Sequence, residues 1–403
     1  MNRGTLRWAV PGAAVAAVVA AMAIPTLATA DQTDDLADLS TAELLAAVAE
    51  AEPAPLSGTA VYTARLGLPA LPAELTQGAD PINLLDGSST IRVWTDGQER
   101  SRVSLLGSTS EYSVVTAGTE MWSYSSATNE VQHTTLDAQS QQYLDQAVAE
   151  HESATADGDI PTPMDLAEQI LADAGEHAEI SLADPVMVAG HAAYQLVVDP
   201  STADTLVEQI VVAVDGATFV PLSVQVWSTE DGDTPAVELA FTDISFATPS
   251  DASLTFSTPS GATVTEEVID LSEFTAQAPQ DGAHPDGDSS HPSEGVTVTG
   301  SGFSSVIEMA GFDASAMMSA DASTDSGDGT GPFGPQGPPE DMMEEFGGAD
   351  GIDVAALYDQ VTTPIDGGRL VTSTLFTILI TDDGRLLAGA VPAQVLLETA
   401  GLT

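Results

Sequence analysis

The chain has no lysine and no cysteine, and it carries only eight basic residues, all arginine, against 61 aspartates and glutamates. Each absence removes a class of chemistry. Without cysteine there is no disulfide framework, no thiol nucleophile, no thiolate-bound zinc and no attachment point for a lipoprotein diacylglyceryl group. Without lysine there is no phosphate-cradling GxxxxGK[ST] loop, no Ser-x-x-Lys nucleophile and no Schiff base. A G-x-S-x-G elbow is missing as well. Gly300-Ser301-Gly302 lacks the third glycine of a dinucleotide loop and reads as a flexible turn. The sequence therefore predicts a protein that is not an enzyme and that holds no cofactor.

What is present is acid. The formal net charge is -53. Two of the arginines, Arg3 and Arg7, lie in the first 30 residues, so residues 31–403 carry six basic against 61 acidic groups, or -55. That charge repels nucleic acid and anionic lipid headgroups and excludes a charge-driven role on either. A carboxylate-dense surface without lysine suits high salt, where a Debye length of about 3 Å at 1 M screens self-repulsion. The composition thus predicts a halophilic or salt-tolerant source.

The N-terminus has the form of an export signal. Arg3 and Arg7 give a short positive region, Ala9 to Ile24 is uncharged and rich in Ala and Val, and Ala28-Thr29-Ala30 is a small-x-small cleavage site. A membrane span needs about 20 apolar residues, more than this stretch supplies between Pro11 and Pro25. Removal after export to an extracytoplasmic location is the expectation, with a retained anchor as the alternative.

Residues 31–276 read as a large β-rich domain. Ser40-Thr41-Ala42-Glu43 is a capping box opening a short helix. From Gly58 onward the apolar period becomes two, giving strands at Thr59–Leu66, Ser89–Thr95, Ser101–Leu106, Glu111–Thr116, Glu120–Tyr124 and Val131–Thr135. Their turns are hairpin-like, with Asp96-Gly97 and Ala117-Gly118 between them. Helices are expected at 138–150 and from Thr162-Pro163 to about Ala174. Strands resume at His177–Leu182, Tyr194–Asp199, Val207–Val214, Phe219–Trp227 and Val237–Phe246. Eleven or twelve antiparallel strands with helices at the start and middle predict a strongly curved sheet or open barrel.

Residues 277–294, rich in Asp, Gly, Pro and His, read as an acidic linker. Residues 295–403 read as a smaller β-rich domain, with strands at Val296–Met309, Arg369–Thr381 and Arg385–Val391 and a final helix from Pro392. Its Met-, Gly- and Pro-rich insertion, 319–351, is expected to be disordered. The histidines give no metal-ligand spacing. His133, His177 and His191 sit at strand ends, and His284 and His291 with Asp281, Asp286 and Asp288 lie in the linker.

The strands carry one strongly apolar face each. Val103 and Leu105 alternate with Arg102 and Ser104; Trp122 and Tyr124 with Met121 and Ser123; Val224 and Val226 with Ser223 and Gln225; Leu239 and Phe241 with Glu238 and Ala240. Two readings follow. The face is a plain core packed on helices, or it lines a cavity wide enough for an acyl chain, worth roughly 0.8 kcal/mol per buried methylene. On the second reading Trp94, Val103, Leu105, Trp122, Tyr124, Val224, Val226, Leu239 and Phe241 are the cavity residues.

Several stretches also resemble a known family. They are Leu56-Ser57-Gly58; Ile91 to Gly97 followed by Arg100 to Val103; Gly118 to Val131; Val188 to Leu196; and Val214-Asp215-Gly216 with Val220-Pro221-Leu222. In order and spacing, residues 56–269 resemble the LolA-like fold family, which includes lipoprotein carriers and the MucB/RseB regulators, with actinobacterial secreted members most alike. The resemblance implies an unclosed antiparallel barrel with a helical lid over a hydrophobic cavity for lipid or lipoprotein acyl chains. It also implies an arginine on an early strand that holds the lid, for which Arg92 is the nearest candidate and Arg100 and Arg102 are alternatives. Gly302 to Val306 and Gly389-Ala390-Val391-Pro392 resemble the small C-terminal domain of MucB/RseB proteins. That implies, as an alternative function, an envelope-stress sensor whose partner is a membrane-anchored anti-sigma factor.

Overall fold

The computed structural model describes residues 36–69, 78–137, 139–142, 171, 174–175, 177–269, 296–312 and 354–402. The export signal, the linker, the insertion and nearly all of the two expected middle helices lie outside the described residues.

Helix α1 (Thr41–Glu50) forms as its sequence dictates. The Ser40 hydroxyl accepts from the Glu43 amide, and the Glu43 carboxylate accepts from the Ser40 amide at 2.8 Å. The capping box thus satisfies donors at the helix start, and it holds the Glu43 carboxyl below its ordinary range.

Six strands follow in a meander: β1 (Leu56–Arg65), β2 (Asp86–Thr95), β3 (Arg100–Leu106), β4 (Glu111–Ala117), β5 (Glu120–Ser125) and β6 (Glu130–Leu136). A second meander comprises β7 (Ala178–Val188), β8 (His191–Pro200), β9 (Val207–Asp215), β10 (Pro221–Ser228) and β11 (Val237–Ser245). The short helix α2 (Asp251–Leu254) leads to β12 (Thr263–Ile269). All twelve form one sheet in the order β12-β6-β5-β4-β3-β2-β1-β11-β10-β9-β8-β7. Its edges, β12 and β7, do not pair with each other, so the barrel is unclosed. The β7 half nevertheless curls, since β7 touches β11 although three strands lie between them.

Two features depart from the sequence expectation. Strand β12 was not foreseen, and it pairs with β6 in parallel, Thr263 opposite Glu130 through Ile269 opposite Leu136. Its sequence, TVTEEVI, has too few apolar residues to signal a buried strand. The other departure is in the C-terminal part, where a separate six-stranded sheet replaces three long strands. It runs in the order β13-β14-β18-β17-β16-β15. Val296–Met309 is two strands, β13 (Val296–Thr299) and β14 (Val306–Ala310), because Gly300 and Gly302 both take positive φ and turn the chain. Helix α3 (Val354–Val361) and β15 (Thr363–Ile365) precede β16 (Gly368–Thr372) and β17 (Thr377–Thr381), which are likewise two strands, and β18 (Arg385–Gly389) completes the set. Helix α4 (Ala393–Ala400) ends on Gly401 in the left-handed region and covers one sheet face, burying Leu396 against Leu379, Leu387 and Val391.

The two sheets are joined by hydrogen bonds. The Ala390 carbonyl accepts from the Leu206 amide at 2.8 Å and the Thr205 hydroxyl at 2.9 Å. The Ser228 hydroxyl donates to the Thr374 carbonyl at 2.6 Å, and Thr374 donates to the carbonyls of Leu66 and Arg65. Thr205 and Ser228 are both buried, so the bonds their own hydroxyls make are shielded from water.

Candidate functional site: an apolar sheet face

Register fixes which side chains share a face, because directly opposed residues point the same way. In the middle of the large sheet Phe241 and Leu239 on β11 oppose Ala60 and Tyr62 on β1. Ala60 opposes Ile91, Ile91 opposes Leu105, and Leu105 opposes Tyr112. Val93 opposes Val103, and Val103 opposes Val114. In the other direction Leu239 opposes Val224, which opposes Val212, and Val226 opposes Ile210. One face is therefore apolar from β9 through β11 and β1 to β4. Phe241 and Leu239 are fully buried, whereas Val93, Val103, Tyr112 and Val114 are only half-buried. At one end α1 lays Leu44 on Tyr194 and Val214 of this face. Near β1 to β3 the turn Pro81–Leu85 and Ala79 pack onto it. Burial on this face pushes the Tyr62 hydroxyl above its ordinary range.

Six of the nine residues read as cavity-lining share this face: Val103, Leu105, Val224, Val226, Leu239 and Phe241. The other three, and the lid candidate Arg92, do not. Arg92 opposes Ser104, Trp94 opposes Arg102, Trp122 opposes Val115 and Tyr124 opposes Ser113, all on the reverse face. The cause lies in the segment after β11. Phe256 stacks on Trp122 at 6.0 Å and meets Tyr124 at 6.5 Å, while His133 stacks on the Trp122 ring at 4.8 Å with planes 3° apart. Leu254, Val115 and Val131 are fully buried with them. The reverse face of β4 to β6 is thus a second, smaller core, and its aromatic residues serve packing there.

Nor does an early arginine reach the apolar face. Arg92 is exposed on the reverse face. Arg100 binds Asp96 at 2.7 Å and Asp251 at 3.0 Å, and Arg102 donates to the Thr255 carbonyl at 3.1 Å. Both tie the α2 segment down. The hydrogen bond from Arg100 holds the Asp96 carboxyl down at about 2.

Residues the sequence reading missed include Ile91, Val93, Tyr62 and Val114 on the apolar face. The signal was the five-residue connection 96–100, which sets Thr95 opposite Ser101 and so Val93 opposite Val103. Among the described residues, no group of three or more His, Asp or Glu side chains is placed to hold a metal ion. Also among them, no helix is long and apolar enough to cross a membrane.

The fold and this face define an open, half-coiled β-sheet with one continuous apolar side and a second, smaller sheet bonded to it. No protein-family model matches the chain, and no curated protein matches it in sequence. Solved structures do. The MucA/MucB complex of Pseudomonas aeruginosa is similar over 89% of this chain and 96% of that one, at 13% identity and a TM-score of 0.40. A LolA superfamily protein from Nitrosomonas europaea is similar over 54% of this chain and 99% of its own, at 12% identity and a TM-score of 0.21. LprF from Mycobacterium bovis is similar over 55% and 97%, at 9% identity and a TM-score of 0.24. The first two carry the names of families that the sequence motifs resemble.

Proposed function

We propose that the chain is an exported, non-enzymatic binding protein that holds the acyl chain of a lipid or lipoprotein on the apolar face of its large sheet. The observation that carries this reading is the continuity of that face across seven strands, β9 to β11 and β1 to β4, with valines and a tyrosine on β2 to β4 left half-buried. These side chains pack against the buried cluster yet keep part of their surface open to water. An acyl chain laid on this face would gain roughly 0.8 kcal/mol per buried methylene.

The test is native mass spectrometry of protein purified from its own host, followed by binding of a fluorescent acyl probe. Val103→Asp is expected to weaken probe binding at least tenfold, whereas Arg92→Gln, on the reverse face, leaves it unchanged. An empty protein that also ignores the probe removes this reading.

A second reading is a sensor that docks a membrane-anchored protein partner, such as an anti-sigma factor. It draws support from the small sheet, whose face away from α4 leaves Val298 and Ile307, a cross-strand pair, exposed. Val298→Asp with Ile307→Asp should then abolish co-purification of a single-span membrane protein while leaving acyl-probe binding intact.

A further inference from the structure

Tyr62 of β1 carries a hydroxyl onto the apolar face. It opposes Leu239 of β11 on one side and Ser89 of β2 on the other, and it packs against the same buried cluster as Val93 and Val103. Both Tyr62 and Ser89 are half-buried. Among the described residues neither of their hydroxyls makes a hydrogen bond. Two other tyrosines of the sheet do: Tyr194 donates to the Ala37 carbonyl at 2.9 Å and Tyr124 to Asn129 Oδ1 at 3.3 Å. The next opposed pair along β1 and β2, Thr63 and Ser88 on the reverse face, bond to each other at 2.7 Å. A tyrosine hydroxyl withdrawn from water usually finds a partner. The apolar face thus holds two adjacent donors with no partner in the described protein.

Charge narrows what they can receive. The described arginines of the large sheet, Arg65, Arg92, Arg100 and Arg102, alternate with residues of the apolar face and lie on the reverse one. A carboxylate or phosphate group laid on the apolar face would leave water without a cation to meet it, which is costly. A neutral carbonyl oxygen has two lone pairs, accepts from one or two O–H donors and needs no counter-charge.

We propose that the Tyr62 hydroxyl, with Ser89 beside it, is the polar anchor of the apolar face and selects ligands whose acyl chain ends in a neutral ester carbonyl over free fatty acids. The carbonyl oxygen accepts from Tyr62, and the hydrocarbon chain lies on the apolar side chains around it. The inference rests on the acyl-binding reading above and adds to it the class of headgroup and the residue that discriminates.

Three fluorescent probes of equal chain length, ending in a methyl ester, a free carboxylate or a plain methyl group, test it when titrated at pH 8 into the protein and its Tyr62→Phe variant. The unaltered protein should bind the ester more tightly than either of the others. Tyr62→Phe should weaken ester binding by about three- to tenfold, the worth of one hydrogen bond, and leave the plain hydrocarbon probe unchanged. Without ligand, the variant's denaturant midpoint should equal or exceed the original, because the hydroxyl it loses had no protein partner. An ester bound no more tightly than the hydrocarbon, an ester affinity unchanged in Tyr62→Phe, or a lowered ligand-free midpoint overturns the anchor and leaves acyl binding standing. Failure of all three probes to bind removes the acyl-binding reading and the anchor with it.

Discussion

Gly58 of β1 lies directly against the ring of Phe241 of β11: a Cβ at Gly58 would come within 2.7 Å of it and within 2.6 Å of the Asp243 carbonyl. This contact sits at the seam between the two meanders. Gly58→Val should destabilise the protein by about 1–3 kcal/mol through overpacking, read as a lower denaturant midpoint. An unchanged midpoint would mean that the seam yields.

The Asp96–Arg100 pair makes a prediction about acid. With its carboxyl held down at about 2 by Arg100, Asp96 contributes stability that is present above the ordinary aspartate range, near pH 4. That contribution is lost as pH falls toward 2. Asp96→Asn should lower the melting temperature at pH 6 and leave it nearly unchanged at pH 2. Equal losses at both pH values would show that the residue acts through its turn geometry alone.

The bonds between the sheets predict that the smaller one cannot be removed cleanly. Ser228 is fully buried, donates to the Thr374 carbonyl and accepts from the Glu230 amide at 3.0 Å. Ser228→Ala strands both partners and should cost about 1–3 kcal/mol, measured by chemical denaturation. Truncation before Val296 should lower the melting temperature further, since Leu206 and Thr205 also lose the Ala390 carbonyl. A truncated chain as stable as the whole would contradict this.

Residues 31–403, at -55, should repel themselves in dilute buffer. Melting temperature is expected to rise between 0.05 M and 2 M sodium chloride, most steeply at the low end, where the Debye length changes most. A flat profile would remove the inference of salt adaptation.

The strands were legible in the sequence because period-two alternation and the Asp96-Gly97 and Gly118 turns mark them locally. Which side chains share the continuous apolar face was not equally legible. Trp122 and Tyr124 bring as much apolar surface as Val103 and Leu105, and alternation within one strand cannot distinguish the continuous apolar face from one turned toward Leu254 and Phe256. Only registers carried across β2 to β5 separate them. β12 escaped notice for a related reason. A parallel partner more than 120 residues away, Glu130 for Thr263, leaves no local trace, and a strand with two adjacent glutamates shows no buried face.

The seam between β1 and β11 also governs how the chain must assemble. Each meander can form from neighbouring hairpins, yet Ser57 pairs with Ser245 and Ala64 with Val237, so the middle of the sheet waits for a segment made long after its partner. Pairing of such high sequence separation is slow, because the loop must close before any contact rewards it. The first meander is therefore left with its β1 edge unpaired until β11 has been made.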